Sequence, residues 1–499
     1  MEKSYKYLVI LLIIFTFILI YKVHFNYPYF YQDPHNKNFI VEEKAGKYDY
    51  PIHGDEWTHL AQTEYIIKNK EIPKTNPYLK DSGNKLDLES GFQVFNAQFS
   101  ILTNLDLILN YKYLPAIFSI IYILCLIIFI LLITKNFYIS IFSSLFFLSV
   151  KNNVNLMGIW FLVPITFSIF LIYLFFYCFL NENKKLNYLS ILFYITSIFV
   201  YPISTILITF ALLIYSIFYK KFSKYYLILL FTLVISSLIL FRNNLDKIFS
   251  IILFKYGWTG AFEFNYSITK MFGLIASAFA LFGIFQVYKK KLNKILIILP
   301  LVCLIPILTY LMFKFTLFIP YQRAFLYLLI NLAPLAGIGL YYLSENIYNF
   351  LNKIDKSAAI FIVVLFTLLV FINNFYNYYK IDNNQFLMLH FINDDDYNAL
   401  KFVKDNYRGN NLIMTNLLTA FAVYPVTQNQ VVALPLSNLG GGNEKLINKF
   451  YASNCDMKKN IVENNNINLV YSYNKINCDF LKEVYNKNAY VYSIQKNNA

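Results

Sequence analysis

The stretch "LPAIFSIIYILCLIIFILLIT", residues 114–134, carries no charged side chain over 21 positions, enough helix to cross a hydrocarbon core of about 30 Å. A chain with several such runs must satisfy its backbone hydrogen bonds inside lipid, and only helices or closed barrels do so. About eleven apolar runs occur, near residues 7–23, 114–134, 138–150, 156–180, 187–201, 203–219, 225–241, 272–288, 295–312, 324–343 and 358–375. Their lengths suit helices rather than barrel strands. With 58% hydrophobic residues and a mean hydropathy of +0.48, the sequence predicts a polytopic α-helical membrane protein.

The formal charge of +15 would suggest a nucleic-acid partner in a soluble chain. Here the lysines fall in short loops between apolar runs and act as topology signals, so no nucleic acid is expected. With the N-terminus in the cytoplasm, the inside loops are "TKN", "NENKKLN", "YKKFSKYY", "YKKKLNK" and "NIYNFLNKIDKS", as the positive-inside rule requires. No small-residue cleavage site follows the first run; Lys22 and bulky aromatics do, so that run reads as an uncleaved anchor. The expected arrangement is a multi-pass protein of the cell membrane. A transmembrane domain occupies 1–379, with a large first external loop at 24–113, and an external soluble domain occupies 380–499.

In that tail, "NLIMTN", "QVVALPL", "INLVYSY" and "AYVYSIQ" read as short strands. "DDDYNALKFVKDNY", "NEKLINKFYAS", "DMKKNIVENNN" and "CDFLKEVYNKN" read as helices, and the alternation predicts a small α/β domain. Asp394, Asp395 and Asp396 sit where a helix starts and read as its cap. Cys455 and Cys478 fall in the same domain, where a disulfide is permitted; the sequence leaves their pairing open.

Chemistry concentrates in "PIHGDEWTHLAQTEYIIKNKEIP", just after the first run. Asp55 and Glu56 stand between His53 and His59. An acidic pair can cap a helix beginning after Gly54. A carboxylate held at a membrane surface can also accept a proton from an acceptor group or ligate a divalent cation such as Mg or Mn. Arg323, in "LFIPYQRAFLYLL", opens the tenth run on the outer side, against the lysine trend. Arginine is shaped for phosphate recognition, although a snorkelling arginine would occupy the same position. Lys255 is a weaker phosphate candidate.

With these residues placed, the chain resembles the GT-C glycosyltransferases, polytopic enzymes that use lipid-phosphate-linked sugar donors. "IHGDEWTHLAQTEYIIKNKEIP" is similar to the first-loop motif of oligosaccharyltransferase catalytic subunits and to the Asp-Glu motif of protein O-mannosyltransferases. "PYQRAFLYLLINLAPLAGIGL" resembles the late span whose arginine contacts the lipid phosphate. The resemblance implies Asp55 as catalytic carboxylate, Glu56 as its partner and Arg323 as donor-phosphate ligand; beside them His59 is expected to support the carboxylates and Lys255 to assist at the phosphate. It also implies a lipid-linked sugar donor and a glycan, lipid or protein acceptor. The chain departs from oligosaccharyltransferases in having no WWDYG.

The function expected is transfer of a sugar from a polyprenyl-phosphate donor to an acceptor on the external face, with inversion. A transporter or flippase of lipid-linked glycans is the rival; it predicts charged or broken helices at mid-membrane, and charges within the apolar runs are scarce. A structural membrane protein with a binding ectodomain is the third reading.

Overall fold

The structure, a computed structural model, describes residues 3–25, 30–32, 40–42, 47–79, 89–152, 156–219, 231, 235, 253–254, 267–313, 315–317, 319–379, 391–434 and 443–495. Lys255 lies outside the described residues, as does the seventh expected run except for positions 231 and 235.

In chain order the α-helices of eight residues or more are α1 (Lys3–Tyr21), α2 (Gly54–Asn69), α3 (Ser90–Thr103), α4 (Leu114–Thr134), α5 (Phe137–Leu148), α6 (Pro164–Leu180), α7 (Lys184–Val200) and α8 (Pro202–Tyr219). They continue as α9 (Leu274–Lys289), α10 (Ile295–Phe313), α11 (Tyr321–Leu351), α12 (Lys356–Phe375), α13 (Asp394–Asn406), α14 (Ala420–Thr427), α15 (Glu444–Ala452) and α16 (Cys455–Asn464). Each described apolar run overlaps a helix. Six stretches are long and apolar enough to cross a bilayer, and α5, α6 and α9 are shorter apolar helices.

Local chemistry sets the boundaries. The fourth run was expected from residue 156, but α6 begins only at Pro164. Proline fixes its own φ for a first helical turn and disfavours helix at the residue before it; Val163 is extended, at φ −134 and ψ 165. Its N–H donates to Thr166 Oγ1 at 3.1 Å. At the head of α12, Asp355 accepts from the N–H groups of Ser357 at 2.7 Å and Ala358 at 3.1 Å.

Residues 1–20 and 115–387 form one compact unit, and residues 21–114 with 388–499 form another. The first is built around α11, which packs on α5, α9, α10 and α12 and is buried almost throughout Tyr321–Leu340. A helix buried on all sides needs small residues where neighbours cross closely. A Cβ at Gly337 would fall 2.3 Å from Ser143 Oγ, and one at Gly339 would fall 2.1 Å from the Phe279 carbonyl oxygen.

The second unit holds a five-stranded sheet formed by β1 (Leu412–Met414), β2 (Gln430–Val431), β3 (Leu469–Ser472), β4 (Leu481–Asn486) and β5 (Tyr490–Ile494), in the order β2-β1-β3-β5-β4. β2, β1 and β3 run parallel, with Ile413 opposite Val431 and Leu469; β5 and β4 are antiparallel additions. Met414, Val470 and Tyr492 on the sheet share a core with Ile447, Phe450 and Val462 from α15 and α16. "CDFLKEVYNKN", expected as a helix, contains β4. Its Val484 and Tyr485 suit a pleated edge, and Lys482 and Glu483 give that edge the charge that discourages further pairing.

Cys455 and Cys478 are joined across a sequence separation of 23, with Cα atoms 5.5 Å apart. Closing a loop of that length removes about 3 kcal/mol of unfolded-state entropy. Replacing both cysteines by serine is expected to lower the unfolding temperature of the full chain, and a reductant should then have no further effect. An unchanged unfolding temperature would contradict this.

Candidate active site

α2 begins where it does because His53 caps it. His53 is extended, at φ −131 and ψ 142, and its Nδ1 accepts from the Asp55 N–H at 3.0 Å. Three residues later, Glu56 reaches back: its Oε2 accepts from the N–H groups of Ile52 at 3.0 Å and His53 at 3.1 Å. This is a capping box with histidine in the place of the usual serine or threonine, and Glu56 is fully buried in it. Trp57, also fully buried, donates from Nε1 to the Pro51 carbonyl at 3.1 Å. The Tyr78 hydroxyl lies 3.0 Å from the Trp57 carbonyl and 2.7 Å from that of Phe421. Gly54 leaves room for Phe421 and Phe391, whose ring atoms would stand 3.3 and 3.5 Å from a Cβ there.

Asp55 is left. It is half-buried, and its carboxylate takes no hydrogen bond or ion pair among the described residues. It stands in the first turn of α2, where the partial positive charge of the helix end complements an anion. The two carboxylates of the motif therefore differ in circumstance: Glu56 is committed to the backbone and Asp55 is available.

One turn on, His59 is buried against α3. Its Nδ1 lies 3.1 Å from Gln93 Nε2 and its Nε2 lies 3.6 Å from Glu89 Oε2. An amide nitrogen can only donate, so Nδ1 is the acceptor and Nε2 carries the hydrogen directed at Glu89. Glu89 and Gln93 are not legible as partners in the sequence, because their segment reads only as loop running into the next span.

Further along α2, burial pushes the half-buried Glu64 carboxyl up to about 7; Lys404 opposes the shift and Asp106 adds to it. Because the folded value lies above the unfolded one of 4.5, this group favours the fold below about pH 4.5 and loses that contribution as pH rises through 7. Discounted for partial exposure, the effect is roughly 2 kcal/mol. Glu64→Gln is expected to raise stability at pH 8 and leave it unchanged at pH 4. Parallel stability curves for the two proteins across that range would refute this. Comparing variant with wild type cancels Asp396, whose carboxyl burial pushes up to about 6 against hydrogen bonds from Tyr471, Asn393 and Tyr473.

The three aspartates heading α13 have separate duties. Asp394 accepts from the Tyr50 hydroxyl at 2.8 Å, Asp395 from Asn488 Nδ2 at 3.2 Å, and the buried Asp396 completes a capping box with Asn393. Among the described residues no group of three or more His, Cys, Asp or Glu side chains could hold a metal ion. Glu56 Oε2 is engaged by two backbone N–H groups, so of the pair expected to hold a cation Asp55 is the freer oxygen donor.

In the other unit, Arg323 lies in the first turn of α11 with only 6% of its surface exposed. One turn later the buried Tyr327 shares a 2.7 Å hydrogen bond with Ser168.

The apolar helices and their arrangement define a multi-pass membrane protein with the GT-C fold. It is similar to the apo oligosaccharyltransferase of Archaeoglobus fulgidus, with 12% identity, a TM-score of 0.55, and coverage of 94% of this chain and 70% of that one. A structure of the same enzyme in complex with Zn and sulfate matches at 12% identity and TM-score 0.53, covering 92% of this chain and 67% of that one. ArnT from Cupriavidus metallidurans in the apo state matches at 7% identity and TM-score 0.52, covering 97% of each chain. At these identities the likeness is one of fold. No family model matches the sequence, and no curated protein does.

Proposed function

We propose that the chain is a membrane glycosyltransferase that transfers a sugar from a polyprenyl-phosphate-linked donor to a glycan, lipid or protein acceptor. It would work on the external face of the cell membrane, with the N-terminus cytoplasmic and residues 380–499 external as an α/β domain. The observation that carries this reading is Asp55, a carboxylate with no partner among the described residues, on a helix start fixed by the fully engaged Glu56. The GT-C fold and the buried Arg323 support it.

Asp55 takes the proton from the acceptor as its nucleophilic atom attacks the anomeric carbon. The bond from that carbon to the phosphate oxygen breaks, and Arg323 stabilises the charge that develops on the leaving phosphate. Attack opposite the leaving group inverts the anomeric centre. Glu56 and His59 hold the α2 turn, and Lys255 is a second candidate for the phosphate. The Zn-bound neighbour leaves a divalent cation a candidate in general terms, but no step here depends on one.

The test is direct. Purified full-length protein in lipid nanodiscs is supplied with radiolabelled polyprenyl-phosphate mannose, glucose and N-acetylglucosamine, and water-soluble and lipid-soluble label are separated. Release or transfer of label from at least one donor is the expected result. Intact donor throughout, in the presence of whole-membrane acceptor extracts, would sink the reading.

A further inference from the structure

The chain that delivers Asp55 to its place is fastened residue by residue. The Tyr48 N–H donates to the His24 carbonyl at 2.9 Å, and His24 Nδ1 meets the Tyr48 carbonyl at 3.2 Å. Asp49 takes Lys112 Nζ at 2.5 Å on one oxygen and Lys47 Nζ at 2.8 Å on the other. The Tyr50 hydroxyl donates to Asp394, the Pro51 carbonyl accepts from Trp57, and the Ile52 and His53 N–H groups end on Glu56. Every residue from Tyr48 to His53 thus has a tether. The Asp49 tether is made to Lys112, two residues before α4 begins, and the Tyr48 tether to His24, three residues after α1 ends.

The Asp49–Lys112 pair is an expensive way to hold an irregular segment. Lys112 is only 8% exposed and the Asp49 side chain 27%; an ion pair so far withdrawn from water returns little more than its own desolvation cost, and apolar residues of similar volume serve stability equally well. What such a pair supplies instead is register, since the largely buried Lys112 ammonium loses its carboxylate partner if the segment slips. Lys47, whose side chain is 57% exposed, adds little.

We propose that Lys112, acting through Asp49, is a positioning residue for Asp55: the half-buried pair sets the register of residues 48–53 and so the place of the carboxylate on the α2 turn. This rests on the glycosyltransferase reading for its kinetic consequence. The structural consequence stands apart from it.

The test compares wild type, Asp49→Leu/Lys112→Met and Lys112→Arg as full-length proteins. The double variant fills the site with apolar side chains and is expected to keep its unfolding temperature. Its kcat for release of label from the polyprenyl-phosphate sugar that wild type uses should fall by about 10- to 100-fold, with KM little changed. Lys112→Arg keeps the pair and should recover most of the rate. An unchanged kcat in the double variant, or a rate loss that tracks a fall in unfolding temperature, overturns the proposal while wild-type activity keeps the glycosyltransferase reading standing. If wild type uses none of the sugars, that reading fails. Hydrogen exchange at the Ile52 and His53 amides then decides: faster exchange in the double variant supports the positioning role and equal exchange refutes it.

Discussion

Asp55→Asn is expected to slow release of sugar from the polyprenyl-phosphate donor by about 10²- to 10⁴-fold, the range over which a positioned general base contributes. Asparagine has the same shape and no basic oxygen. Nothing in the fold should notice the change. The capping contact at this position runs from the Asp55 backbone N–H to His53 Nδ1, and asparagine keeps it. The carboxylate itself serves no partner among the described residues, so no buried donor is orphaned. The measurement is therefore a pair of numbers, kcat on the donor and the unfolding temperature. A large fall in the first with no change in the second is the result that places Asp55 in the chemistry. Equal release from wild type and variant would remove Asp55 from the mechanism, and a matching fall in both would make it a structural residue.

The apolar runs made the helices legible, because a stretch without charge in lipid has few alternatives to helix. What they could not show is where a helix truly starts, and that is where the candidate site lies. Asp55 and Glu56 are adjacent and chemically alike; their fates separate only once His53 is known to be the cap, which puts Glu56 at the position that reads back to the preceding backbone. Histidine is not among the residues that announce a cap, so the motif could be read as cap or catalyst but not divided between the two. The same blindness covers α14, which has Pro425 inside it and no side-chain cap, and β4, whose charged edge reads as an amphipathic helix. Arg323 stood out because arginine is rare here, at three in 499 residues. Lys112 did not, as one of many lysines; only its burial and its partner Asp49 distinguish it. Long-range pairing of that kind leaves no local trace in a sequence.

The division of labour between the two carboxylates is itself testable at Glu56. Glu56→Ala leaves the buried N–H groups of Ile52 and His53 without their acceptor, and each such orphan costs about 1–3 kcal/mol. The variant should lose about 2–6 kcal/mol of stability in all, and with it the fixed geometry of the α2 turn, so activity falls as a consequence of misplacement. Glu56→Gln differs in the one respect that matters. Glutamine keeps a carbonyl oxygen at the end of the same stem and completes a capping box as well as glutamate does. It should therefore retain most of the wild-type rate and unfold near the wild-type temperature, whereas Asp55→Asn, the equivalent loss of charge one residue earlier, removes the activity. Two adjacent carboxylates, each neutralised without change of shape, thus give opposite outcomes if one is a cap and the other a base. Should Glu56→Gln abolish sugar release while leaving the unfolding temperature intact, the roles argued for the pair are wrong. Glu56 would then have to act on the substrate despite its burial beneath the helix start.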